Sequence, residues 1–155
     1  MLKNSSKFED VVPIATQEEF LQMSDLEYVK TITENSFPKV LARYISELQQ
    51  RGISMDTISN STKLSKTTIS LYLSEKRSPS FDSLVALCMG MRLYYERTCF
   101  LFEMGNRTLC NSKPRDRILT KYLIGCAFKE ECTVQNCNEE LKKNNLKVLT
   151  IPKDE

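Results

Sequence analysis

The chain has 155 residues, of which 41% are hydrophobic and 27% charged, with a formal net charge of +2. This is the balance of a globular protein, it is enough for one ordinary domain or a compact module with an appendage, and it leaves no room for two large independent cores. No stretch approaches the roughly 18 apolar residues needed to span a bilayer, and the start Met-Leu-Lys-Asn-Ser-Ser-Lys-Phe-Glu-Asp lacks a signal-peptide apolar segment, so a cytoplasmic protein is expected. With four Gly, five Pro and few alternating Val/Ile/Thr runs, the expected fold class is all-α.

In chain order, residues 1–35 form an acidic extension, with three basic and seven acidic groups, whose first dozen residues are expected to fray. Thr16-Gln17-Glu18-Glu19 and Ser24-Asp25-Leu26-Glu27 both match the capping box, in which the first and fourth side chains satisfy free backbone donors at a helix start. One or two short N-terminal helices are expected from them. Pro38 suits a first helical turn, and Val40, Leu41, Tyr44, Ile45 and Leu48 recur on one face until Gly52. Ser54 is placed to cap a second helix with Ile58 inward and Thr57 or Ser61 outward. Ser65 is placed to cap a third, with Ile69, Tyr72 and Leu73 inward.

Ser78-Pro79-Ser80 breaks the chain, because the residue before Pro disfavours helical geometry. Ser80 or Asp82 then starts a helix with Phe81, Leu84, Val85, Leu87, Cys88 and Met91 inward. Tyr94 to Met104, carrying Tyr95, Cys99, Phe100, Leu101 and Phe102, is too apolar to lie free and is expected to pack on the preceding helices or on a second subunit. Residues 106–114 read as a connector. Beyond it, helices are expected over Asp116–Phe128, with Ile118, Leu119, Tyr122, Leu123 and Cys126 inward, and over Thr133–Lys143, with Val134, Cys137 and Leu141 inward. The end reads as an extended tail.

Charge divides unevenly. Residues 36–80 hold seven basic groups (Lys39, Arg43, Arg51, Lys63, Lys66, Lys76, Arg77) against three acidic ones (Glu47, Asp56, Glu75), so the basic excess sits around the second and third of these helices. Binding to phosphates depends on such a local field more than on the global charge. His is absent, there is no glycine-rich phosphate loop, and Cys88, Cys99, Cys110, Cys126, Cys132 and Cys137 include no Cys-x-x-Cys pair. No catalytic constellation, metal site or cofactor is predicted, and reduced thiols are expected.

From Ser54 to Leu93 the sequence resembles the phage-repressor-like, Cro-type helix-turn-helix regulators of the Xre family. The resemblance is carried by Ile58-Ser59, Leu64-Ser65, Lys66-Thr67-Thr68-Ile69-Ser70, Lys76-Arg77, Pro79-Ser80 and Leu84-Val85-Ala86-Leu87, in register without a gap. It implies a four- to five-helix DNA-binding domain over residues 36–93, preceded by the short helices of residues 1–35 and followed by a small helical C-terminal extension over 94–150 that is a candidate dimerisation region. It implies further that the helix over residues 65–73 enters the major groove, as the second helix of such motifs does.

By the same resemblance Lys66, Thr67 and Leu71 meet base edges, Lys66 donating to guanine and the methyls of Thr67 or Leu71 touching thymine methyls. Thr68 and Ser70 lie nearer the backbone, Ser65 at the helix start is a further DNA-binding candidate, Ser54 and Met55 face a phosphate, and Lys76 and Arg77 grip phosphates, which positions the protein without specifying sequence. Met55 stands where the family often has Gln, and Lys63 and Glu75 stand where it often has Gly. A left-handed backbone is therefore expected at Lys63. The function implied is that of a sequence-specific transcriptional regulator, in the manner of a repressor, binding a double-stranded operator as a homodimer, with no small-molecule ligand indicated. The alternative is a protein-interaction module, antitoxin-like or anti-regulator, that keeps the fold and reads a protein; Met55, Leu71 and Glu75 favour it.

Overall fold

The computed structural model describes residues 11–24 and 36–152, and all regular structure among them is helical. The helices are α1 (Gln17–Ser24), α2 (Phe37–Gln50), α3 (Met55–Thr62), α4 (Lys66–Leu73), α5 (Phe81–Gly90), α6 (Tyr95–Met104), α7 (Pro114–Gly125) and α8 (Val134–Lys143). None of the described helices is long and apolar enough to cross a membrane.

Helix starts obey local side-chain chemistry. Thr16 N–H donates to Glu19 Oε1 at 2.7 Å and Glu19 N–H to Thr16 Oγ1 at 3.3 Å, which closes the capping box at α1. The second box, at Ser24-Asp25-Leu26-Glu27, runs outside the described residues. Ser54, Ser65, Ser80 and Thr133 each accept a hydrogen bond from the backbone N–H three residues on. Of the two candidates at α5, Ser80 is the cap; Asp82 instead takes Arg115 at 3.0 Å and Thr150 N–H at 2.8 Å.

Helix ends share a geometry that the sequence hides. At α2 the N–H of Gly52 (φ 89°) bonds Gln49 O and that of Ile53 bonds Leu48 O, the left-handed closure known as a Schellman motif. The same pair of bonds recurs at α4 through Glu75 and Lys76, at α5 through Arg92 and Leu93, at α6 through Asn106 and Arg107, and at α8 through Asn145 and Leu146. Glu75, Arg92, Asn106 and Asn145 take positive φ there (66°, 57°, 58° and 61°) in a chain with few glycines.

Helix α5 is the axis of the molecule. Ser83 to Gly90 are all buried, and α3, α6, α7 and α8 pack around them. A helix with no polar face is a buried helix, and the inward set read from the sequence is extended here by Ala86, Met89 and Gly90, while Phe81 is only half-buried. A single hydrophobic cluster runs from Val12 to Leu149, so α6, α7 and α8 share the core of α2–α5.

Three details depart from the sequence expectation. Val12 is fully buried, so fraying does not extend to it. In α6 the inward positions include Arg97 and Thr98, whereas Cys99 is exposed and Tyr95 and Phe100 are half-buried. The cause is a cation satisfied inside: the Arg97 guanidinium lies 4.8 Å from the centre of the Tyr44 ring and 2.8 Å from Glu47 Oε1. The extended tail is anchored, with Leu149 buried, Leu149 N–H on Asn138 Oδ1 at 2.9 Å, and Arg115 on Lys147 O at 2.7 Å.

Arg92, itself 7% exposed, ties the parts together. Its guanidinium donates to the carbonyl oxygens of Val12, Cys126, Lys129 and Glu130. Burial lowers its pKa, opposed by nearby acidic groups.

Candidate nucleic-acid interface

Helices α3 and α4 are joined by Lys63, Leu64 and Ser65. Lys63 adopts the left-handed conformation (φ 65°, ψ 17°) expected at this turn. Hydroxyls of α3 hold the turn: Ser59 Oγ donates to Leu64 O at 2.6 Å, and Thr62 Oγ1 donates to Ile58 O at 2.8 Å while accepting from Leu64 N–H at 3.3 Å. Leu64 then plugs the core at 1% exposure.

The pair is fixed against α5 by a close approach. Ser61, expected outward, is buried and donates from Oγ to Gly90 O at 2.7 Å. A Cβ on Gly90 would lie 2.5 Å from Thr62 Cα, so only glycine lets α3 sit this deep.

On α4, Ile69 and Tyr72 face the core, and burial pushes the Tyr72 phenol up. Lys66, Thr67 and Ser70 are exposed and Leu71 is half-buried. Ser65 caps the helix, its Oγ accepting from Thr68 N–H at 3.0 Å and donating to Thr68 Oγ1 at 3.0 Å. Thr68, at 2% exposure, lies packed beside this cap, whereas Lys66, Thr67 and Ser70 reach the surface. Ser54 is exposed and caps α3, with Met55 half-buried beside it.

After α4 the chain turns through Glu75 and presents Lys76, exposed, and Arg77, half-buried. Both backbone N–H groups return to Leu71 O, at 3.0 and 3.3 Å, which fixes the loop against the helix. Among the described residues no carboxylate lies within ion-pair distance of Lys76 or Arg77.

The structure thus brings Lys66, Thr67, Ser70 and Leu71 onto one short helix capped by Ser65, with Ser54 at the start of its neighbour and Lys76-Arg77 beyond its far end. Two features were missed from sequence. Asp56 Oδ1 pairs with Lys66 Nζ at 2.6 Å across the first turns of α3 and α4, between two well-exposed side chains, a pair worth at most about 1 kcal/mol. An acidic residue in the first turn of α3 was readable, but its partner on α4 was not. Arg107, from the connector, donates to Pro79 O at 3.1 Å and so lies against the same loop; a contact across 28 residues leaves no local sequence signal.

Elsewhere the chemistry is sparse. An open depression of about 480 Å³ is lined by Tyr122, Glu131, Asn136, Glu139, Glu140, Lys143 and Asn144. Glu140 is already engaged there: Lys121 Nζ is 2.6 Å and Tyr122 Oη 2.8 Å from its carboxylate, and these two bonds hold that carboxyl below its ordinary range. Burial pushes the Cys126 and Cys137 thiols up to about 12 and Cys88 well up, which leaves them protonated and poor nucleophiles. No group of three or more potential ligands among the described residues has a metal-holding arrangement. No family model, curated protein or solved structure matches the chain.

Proposed function

We propose that this protein is a sequence-specific DNA-binding regulator of transcription, acting by occupying an operator, with α4 as the helix that enters the major groove. The observation that carries this reading is the disposition of α4: a short helix held from behind by Ile69 and Tyr72, capped by Ser65, exposing Lys66, Thr67 and Ser70, and followed by the basic residues Lys76 and Arg77. Polar and basic side chains on a rigid helix read base edges, while the flanking cations neutralise phosphates. On this reading the protein acts in the cytoplasm, where its DNA would lie.

One reading head covers too few base pairs to select a site, so the active species is a two-fold homodimer on a palindromic operator. An apolar cluster that supports this assembly is the stack of Phe20, Tyr94 and the exposed Phe128, with ring centres 4.7 Å (Phe20 to Tyr94) and 5.3 Å (Phe20 to Phe128) apart. A protein-reading module remains the second reading, favoured by the Asp56 carboxylate on Lys66 and by Glu75 beside the basic loop.

Selection of bound sequences from random duplex DNA tests the proposal. An enriched palindrome, lost in a Lys66→Ala, Thr67→Ala variant that keeps its helical circular dichroism, is the expected result. Absence of any enrichment at low salt overturns it in favour of a protein partner, whose binding would respond little to salt.

A further inference from the structure

The Schellman closures differ at the residue after the left-handed one. At α2, α5 and α8 that next position is Ile53, Leu93 or Leu146, each packed on the core, the apolar contact that usually accompanies this motif. At α4 and α6 it is Lys76 and Arg107 instead. Two helix ends therefore deliver a cation where the others deliver a hydrophobic anchor.

The end of α6 reaches the loop that follows α4. Arg107 Nη2 donates to Pro79 O, in the loop that carries Lys76 and Arg77. The bond holds the guanidinium at the loop while the residue stays exposed. Among the described residues no carboxylate lies within ion-pair distance of Arg107, and Asp82, three residues after Pro79, is taken by Arg115 and Thr150 N–H. Guanidinium presents several N–H donors in a planar fork that matches phosphate oxygens, and only one of Arg107's is used by Pro79.

We propose that Arg107 is a phosphate-contacting residue: it extends the edge formed by Lys76 and Arg77, so that the connector after α6 grips the DNA backbone flanking the bases that α4 reads. The inference rests on the DNA reading above. It assigns Arg107 a positioning role, which strengthens binding to all sequences alike and leaves base preference to α4.

The test is the affinity of the full-length protein for its selected duplex, or for random duplex at low salt, by fluorescence anisotropy between about 50 and 200 mM salt. Arg107→Gln removes the charge, Arg107→Lys restores it, and Lys142→Ala on α8 controls for net charge. The expected result is a several-fold weaker complex for Arg107→Gln, with a log–log salt slope smaller by about one, partial rescue by Arg107→Lys, no effect of Lys142→Ala and an unchanged selected sequence. Wild-type slope and affinity in Arg107→Gln, with binding still abolished by Lys66→Ala, Thr67→Ala, overturn the inference and leave the DNA reading standing. A wild-type protein that binds no duplex overturns both.

Discussion

Lys63 sits in the left-handed region at φ 65°, where an L side chain crowds the following carbonyl and costs about 1–2 kcal/mol. Glycine carries no such penalty but loses more chain entropy on folding, so Lys63→Gly is expected to gain a net of about 1 kcal/mol. In a chain of this size that is a rise of about 2–4 °C in melting temperature, read by circular dichroism; a fall would show that the lysine side chain makes contacts worth more than its strain. The left-handed turn was expected only through the resemblance, because Lys63 stands where helix-turn-helix regulators often have Gly. Burial of Thr68 was not legible, because threonine serves equally as a surface hydroxyl and as a partner for a cap, and only the 3.0 Å bonds to Ser65 decide between them.

The element that fixes α3, and through it α4, is the contact with the end of α5. Gly90→Ala would drive a methyl group into Thr62 Cα and Ser61 O, both backbone atoms that cannot swing away. Overpacking of this kind costs about 1–3 kcal/mol, measurable as a lower midpoint in urea at unchanged slope, and, if the proposed DNA reading holds, it weakens duplex binding further by tilting α4. Helix starts were readable from sequence because caps are chemistry between residues three apart, as at Ser54, Ser65, Ser80 and Thr133. The inward face of α6 was not. The apolar content of the segment predicts that it packs but not which face does so, and the structure buries Arg97, whose partners Tyr44 and Glu47 belong to α2, about fifty residues away.

At the scale of the molecule, composition and periodicity were enough for an all-helical chain and for the faces of α2, α7 and α8. The way the segments around Val12 and Thr150 close on the middle was not encoded locally: Asp82, which reads as a helix start, is spent on the tail through Thr150, and Arg92, on which the sequence carries no signal, is buried. The bonds of Arg92 span 80 residues to Val12 and 34 to 38 residues to the carbonyls after α7. Contacts of such separation form only after the intervening chain has ordered, so they are absent from an early transition state. Arg92→Met, which strands these carbonyls, is expected to cost about 3–5 kcal/mol, nearly all of it in the unfolding limb of a stopped-flow chevron. The refolding rate should hardly change, and a slowed refolding limb would contradict that order of events. Arg92 then acts as a latch rather than a nucleus: it sets how long the folded molecule lasts, not how fast it is made.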